Sequence, residues 1–338
     1  MKLRNLAISI GSSVAFLILI LDSKTAIQGI SDGLALCVQT LIPSLFPFFI
    51  FSTLLTSALS GQTLTFLKPI ATVLNLPKGS ESLLAIGFLG GYPVGAQSVA
   101  ILHQKGQLSI QQATKLIVIC NNAGPAFLFG VLGQIFTNRY TPWLLWLIHM
   151  ASALLVGLIL RDDASQELVH PTQCRIEISK ALERSVKTMA LVCAWVMLMR
   201  MVINFLTRWF LWLLPTSIQI IICGVLELSN GCMQLKTVDN EALQFILASS
   251  MLALGGICVA LQTSSVAPQI PMKLYFPGKI LQCSFSLFLS CVSVPFIFPD
   301  RSHNIALPIV IAGIIGLIPA LILNYYKNNS RISALSGV

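Results

Sequence analysis

Charge is what this sequence has least of. Only 10% of its 338 residues are Asp, Glu, Lys or Arg, 55% are apolar, and the mean hydropathy is +0.83. A soluble domain usually carries about 25% charged residues, so a water-facing surface cannot be covered here. That excludes an ordinary cytosolic enzyme, a nucleic-acid binder and a disordered chain. The usual enzyme signatures are missing as well. There is no H-E-x-x-H, no G-x-S-x-G and no Walker A loop, and His103, His149, His170 and His303 lie far apart. The expectation is a non-enzyme with no catalytic residue, no metal and no cofactor. An intramembrane enzyme built from scattered residues stays as a minor alternative. Also missing is any C-x-x-C. Of nine cysteines, Cys37, Cys120, Cys193, Cys223, Cys258, Cys283 and Cys291 sit inside apolar segments. They read as small buried hydrophobes and not as a disulfide set. The net charge of +9 comes from scattered Lys and Arg with no basic run. It reads as positive-inside loop anchoring and predicts no nucleic-acid partner.

What is present is a series of long stretches without Asp, Glu, Lys or Arg: 5–21, 33–67, 82–104, 116–138, 140–160, 209–226, 242–272, 280–299 and 302–326. A spanning helix needs roughly 20 apolar residues, which predicts about eight to ten membrane-embedded helices, several of them broken or re-entrant. Short alternating segments of a β-barrel do not occur. The fold class is therefore an all-α polytopic membrane protein in a lipid bilayer. Lys2 and Arg4 precede the first apolar run, and the flank Asp22-Ser23-Lys24 offers no small-residue cleavage site. This predicts a retained first helix with a cytoplasmic N-terminus. Lys327 and Arg331 suggest the same side for the C-terminus, hence an even number of spans, while inverted halves with odd span counts would put the central loop outside. The orientation stays open.

The charges that exist are concentrated. Ten lie in 161–187, from Arg161 to Lys187, around His170-Pro171. The chain divides into a membrane half at 1–160, a polar linker at 161–178 and a second membrane half at 179–338. After the linker, Ile178, Leu182, Val186 and Met189 form one apolar stripe, with Glu183 and Lys187 as an i,i+4 pair. This predicts an amphipathic helix on the membrane before a span, or else a partner-docking surface. Each half holds apolar segments interrupted by Gly/polar breaks, which suggests that the two halves are related as an internal repeat. Arg200 and Arg208 flank apolar stretches and are expected to snorkel to the interface.

The breaks are the candidate site. A break at membrane depth frees backbone groups, and transporters use such groups to bind substrates and ions near the midplane. The first is Gly90-Gly91-Tyr92-Pro93-Val94-Gly95-Ala96-Gln97. Here Gly91 and Gly95 allow close backbone approach, Pro93 ends one helix and starts the next at its N1 position, and Tyr92 and Gln97 supply a hydroxyl and an amide. The alternative is a small-residue helix crossing. The second is Asn121-Asn122-Ala123-Gly124-Pro125, where Asn121 and Asn122 either face the substrate path or satisfy the broken backbone locally. The third is Glu227, an intramembrane carboxylate for a cation or a proton, or a solvated end-cap at the interface. Asn230 and Gly231 follow it as an expected helix end. Gly255 and Gly256 make a fourth break, with Gln262 beyond it in a cluster otherwise read as helix-end polarity.

Taken in order, Leu45-Phe46-Pro47-Phe48-Phe49-Ile50, Gly90 to Ala96, Cys120 to Pro125, Leu226 to Gly231 and Gly255-Gly256 resemble the sporulation integral membrane protein family of the YlbJ type. These are membrane proteins with the nucleoside-recognition gate domain. Gly90 and Gly124 stand where the family pattern has Ser, so a hydroxyl-mediated contact is not carried over to those positions. The resemblance implies a spore-forming bacterial source, a cell or forespore membrane location and a fold similar to concentrative nucleoside transporters with two inverted gate repeats. It also implies a role in moving dipicolinic acid into the developing spore. The combined expectation is a permease for a small polar or anionic metabolite. Its substrate would be bound by Gly91, Tyr92, Pro93, Gly95, Gln97, Asn121, Asn122, Gly124, Glu227, Asn230, Gly255, Gly256 and Gln262, with the coupling ion, H⁺ or Na⁺, left open. The alternatives are a nucleoside-type transporter and a non-transporting scaffold that contacts sporulation membrane partners, or copies of itself, through 161–187.

Overall fold

The computed structural model describes residues 2–59, 62, 64–161, 177–299, 313, 316 and 319–323. The described residues are all-helical, with no strand among them. Most of the predicted linker (162–176), with His170 and Pro171, and also His303, Lys327 and Arg331 lie outside them. Among the described residues, six helical stretches are long and apolar enough to cross a membrane: Ser23–Leu59, Ile110–Gln134, Thr141–Ile159, Ile178–Trp209, Glu241–Val266 and Tyr275–Ile297. Asn5–Leu21 and Thr216–Leu226 are shorter apolar helices. The chain is a polytopic all-α membrane protein.

In chain order, α1 (Lys2–Leu21) and α2 (Ser23–Leu36) lead through a π-helical turn (Cys37–Leu41) into α3 (Ile42–Leu59). The π turn stands just before Pro43 and Pro47, which lack the N–H that an α-helix would use there. Next come α4 (Lys68–Val73), α5 (Glu81–Leu89), α6 (Val94–Gln104), α7 (Ile110–Cys120), α8 (Pro125–Gly130) and α9 (Thr141–Ile159). The second half begins with α10 (Ile178–Trp209), followed by α11 (Thr216–Leu226), α12 (Leu228–Gln234), α13 (Glu241–Leu254), α14 (Gly256–Val266) and α15 (Tyr275–Ile297). The same order recurs in both halves: a long helix, a helix–break–helix unit, a turn, a second helix–break–helix unit, then an unbroken helix. The predicted amphipathic helix is the first turns of α10. Ile178, Leu182 and Val186 are exposed there, Met189 is buried, and Lys187 pairs with Glu183 at 2.5 Å.

The breaks dictate the layering. At 1.5 Å per residue, the 9-residue α5 and the 11-residue α6 are about 14 and 17 Å long. Each is half the roughly 30 Å hydrocarbon thickness, so their ends fall inside it. Backbone ends at that depth must be enclosed by protein. Accordingly, 78% of the most apolar window of Ile110–Gln134 and 72% of that of Glu241–Val266 are buried, against 22–44% for the other four spans. The broken helices form the interior. The unbroken ones turn residues such as Phe51, Leu147, Phe288 and Phe296 outward, as lipid contacts require. Apolar clusters join the halves: Leu41, Phe49 and Leu128 pack in one with Val192, Phe245 and Leu252, and Leu116 and Ile117 in another with Ala260 and Leu281.

The halves also meet along α2 and α10, where two glycines carry the approach. A Cβ on Gly29 would fall 2.6 Å from Met201 Cα, and one on Gly33 would fall 2.7 Å from Met197 Cα. Gly29-x-x-x-Gly33 is a small-residue crossing of the kind that lets membrane helices touch backbone to backbone. Replacing Gly29 by Leu is expected to force α2 off α10 and to cost about 1–3 kcal/mol. Thermal melting of the purified protein measures this, and Ile27→Ala on the exposed face of the same helix is the control.

Candidate functional site

In each half the two breaks touch. In the first, α5 ends at Leu89 and α6 starts at Val94, with Gly91 at φ +74° between them. α7 ends at Cys120, and residues 121–124 run extended until Pro125 opens α8 at its N1 position. A Cβ on Gly91 would lie 3.0 Å from Gly124 N, and one on Gly95 would collide with the Cys120 carbonyl oxygen. In the second half, Glu227 alone separates α11 from α12, and Gly255 (φ +72°) joins α13 to α14. A Cβ on Gly256 would lie 2.9 Å from Gly224 O.

The two pairs are tied together by hydrogen bonds. The Tyr92 hydroxyl donates to Leu252 O at 2.6 Å, a carbonyl in the last turn of α13 that has no intrahelical partner. Asn121 Nδ2 donates to Thr263 Oγ1 on α14 at 2.7 Å and to the Tyr275 hydroxyl on α15 at 3.0 Å. Between the pairs lies a cavity of about 40 Å³. Its polar wall is Tyr92, Glu227, Ser229 and Gln262 with the backbone of Gly90, Gly91 and Gly124, and its apolar wall includes Leu41, Phe49, Val192 and Val196. That volume has room for water and none for an aromatic ring, so this conformation is closed.

Glu227 is 2% exposed, which rules out the solvated end-cap at the interface. It caps α12 from inside: Oε1 accepts from Ser229 N at 3.0 Å, and Oε2 accepts from Asn230 N and Asn230 Nδ2, both at 2.7 Å. A carboxylate at a helix N-terminus fills freed amides and faces the positive end of the dipole. Asn230 and Gly231 correct the expectation of a helix end. They lie within α12, and the break is at Glu227 itself, because the carboxylate supplies the cap one turn earlier. Pro93 also departs from expectation, since α5 stops before it at Leu89 and Pro93 is the N-cap of α6 and not its N1 residue.

Of the expected site residues, Gly91, Tyr92, Gly124, Glu227 and Gln262 line the cavity. Asn121 and Asn122 are fully buried beside it. Gly255 packs on the Tyr92 hydroxyl, and Asn230 holds Glu227. Gly95 and Gly256 serve close backbone packing, and Gln97 is half-buried on α6 away from the cavity.

Several residues at the site escaped the sequence reading. Lys279 on α15 is 2% exposed and donates to Asn121 O, Asn122 Oδ1 and Gln282 Oε1. Gln282 Nε2 donates to Asn122 Oδ1 at 3.1 Å, and His149 Nε2 accepts from Ala123 N at 3.0 Å. Lys279 stands at the edge of the charge-free run 280–299, where a Lys reads as a snorkelling anchor. Its i,i+3 spacing to Gln282 was the available signal of a polar face. Arg200 reaches a break from α10: Nη1 donates to Asn230 Oδ1 at 2.9 Å and Nη2 meets Asp32 Oδ2 at 3.4 Å. Arg208 pairs with Asp22 at 3.0 Å. The eight cysteines described are free.

Glu227→Gln keeps the shape and offers one acceptor oxygen for three N–H donors. It is expected to cost about 1–3 kcal/mol in melting and to raise hydrogen exchange at the start of α12. Tyr92→Phe leaves Leu252 O unpaired and is expected to cost about 1 kcal/mol. Unchanged melting and exchange in both variants would contradict the capping roles.

No family model matches the chain, and no solved structure matches it. The sporulation integral membrane protein YlbJ of Bacillus subtilis (strain 168) is 26% identical to it over 309 positions, covering 77% of this chain and 75% of that protein. With the six apolar spans among the described residues, this similarity identifies the chain as a multi-pass integral membrane protein that resembles YlbJ.

Proposed function

We propose that the protein is a permease for a small anionic metabolite, with dipicolinic acid, the cargo implied by the family resemblance, as its substrate during spore formation. The observation that supports this most is the meeting of the breaks. Gly90, Gly91, Tyr92, Gly124 and Glu227, from three of the breaks, border one cavity, and Gly255 of the fourth packs on Tyr92. Backbone and side-chain amides at the breaks offer donors suited to carboxylates. In this reading the two halves act as inverted repeats that rock around the breaks, and the cavity widens from its closed volume to admit an aromatic dicarboxylate. The substrate leaves chemically unchanged, so no cofactor and no catalytic residue take part.

The test uses purified protein in liposomes with labelled dipicolinate outside. Wild type is expected to accumulate the label. Asn121→Ala and Gly91→Leu, at the breaks, are expected to reduce uptake at least tenfold, while Phe296→Ala on the lipid face leaves it unchanged. Uptake of nucleosides in place of dipicolinate would favour the nucleoside-type alternative. No flux of either, with normal sporulation of the Asn121→Ala strain, would favour a scaffold.

A further inference from the structure

Lys279 is a cation buried without a counter-ion. Its side chain lies in the interior of a spanning helix, 2% exposed. An ammonium has three N–H donors, and all three are used: Asn121 O at 2.5 Å, Gln282 Oε1 at 2.8 Å and Asn122 Oδ1 at 3.2 Å. Each partner is a neutral carbonyl oxygen. The two buried carboxylates among the described residues, Glu81 and Glu227, make no ion pair with it. Burying an unpaired charge is expensive, so the surroundings must stabilise it by other means.

They do so with dipoles. Asn121 is the residue that closes α7, so its carbonyl stands at the C-terminal, partially negative end of a helix that stops inside the membrane. The rings of Tyr92 and Tyr275 add their faces, with centroids 5.9 and 5.8 Å from Nζ. A main-chain carbonyl freed at a half-helix C-terminus, two amide oxygens and two aromatic faces make up the kind of donor set with which carriers with broken helices hold an exchangeable monovalent cation.

We propose that this is a monovalent-cation site whose occupant is tethered: the Lys279 ammonium takes the place of a sodium, potassium or ammonium ion at the 121–124 break. Such a site is always filled, so the first pair of breaks stays neutralised whatever the ionic gradient. The proposal goes beyond the transport reading, because it concerns what holds the break and is measured with no substrate present.

The experiment is thermal unfolding of the full chain in detergent, in choline chloride and then with choline replaced at constant ionic strength by sodium, potassium or methylammonium. The wild-type midpoint is expected not to respond. Lys279→Ala is expected to melt lower in choline and to recover most of the loss in at least one of the three cations, with stability rising logarithmically above the dissociation constant. Purification of Lys279→Ala only in one of those cations supports the proposal equally. Lys279→Gln, with a neutral donor of similar reach, is expected to melt below wild type. Three results overturn the proposal: Lys279→Gln as stable as wild type, Lys279→Ala that melts without response to any of the cations, or Lys279→Ala that cannot be recovered in any of them. None of these touches the dipicolinate flux measurement, so the two ideas fail separately.

Discussion

A helix that stops inside hydrocarbon leaves amides at one end and carbonyls at the other with no water to take them, and each unpaired group costs on the order of 2–7 kcal/mol. The described residues hold four such stops, and their interior is arranged around filling them. Glu227 takes the N–H groups that open α12, and Lys279 takes the carbonyl that closes α7. Tyr92 takes a carbonyl in the last turn of α13. The charges follow the dipole rule, an anion at a helix N-terminus and a cation at a C-terminus. Ionisable side chains of both kinds thus stand where the backbone is least satisfied.

From that constraint the layering follows. Breaks have to be enclosed, so the broken helices are central and the unbroken spans surround them. Enclosing four breaks together requires backbones closer than side chains permit, which is why Gly91 meets Gly124 and Gly95 lies on the Cys120 carbonyl. Polar residues that would destabilise a lipid-facing helix are stable here because each links two elements. Asn121 joins α14 and α15 to the end of α7, and Asn230 connects the Glu227 cap to Arg200 and through it to Asp32 on α2. The cap of a central break is therefore linked to the packing of an outer helix.

The breaks themselves were legible in sequence. Gly-Gly-Tyr-Pro, Asn-Asn-Ala-Gly-Pro, Glu227 and Gly-Gly are interruptions that no continuous apolar span tolerates without a reason, and the structure places a break at each of them. Their extent was less legible. Pro93 reads as a helix start because its fixed φ suits one, but α5 already ends at Leu89 and α6 begins at Val94, with Pro93 as its N-cap. Asn230-Gly231 reads as a helix end because such pairs often are one, but the Glu227 carboxylate caps a helix that runs through them.

The sequence by itself determined the membrane class and the places where helices break, because hydropathy and helix-breaking are local properties of consecutive residues. Only the tertiary structure decided what each break is filled by. Lys279 lies 158 residues from Asn121, and Tyr92 lies 160 from Leu252. A Lys at the edge of an apolar run or an Arg beside one looks like a surface anchor until the fold brings a carbonyl or a carboxylate to it. A buried charge is defined by its partners, and those partners are set by packing across the two halves.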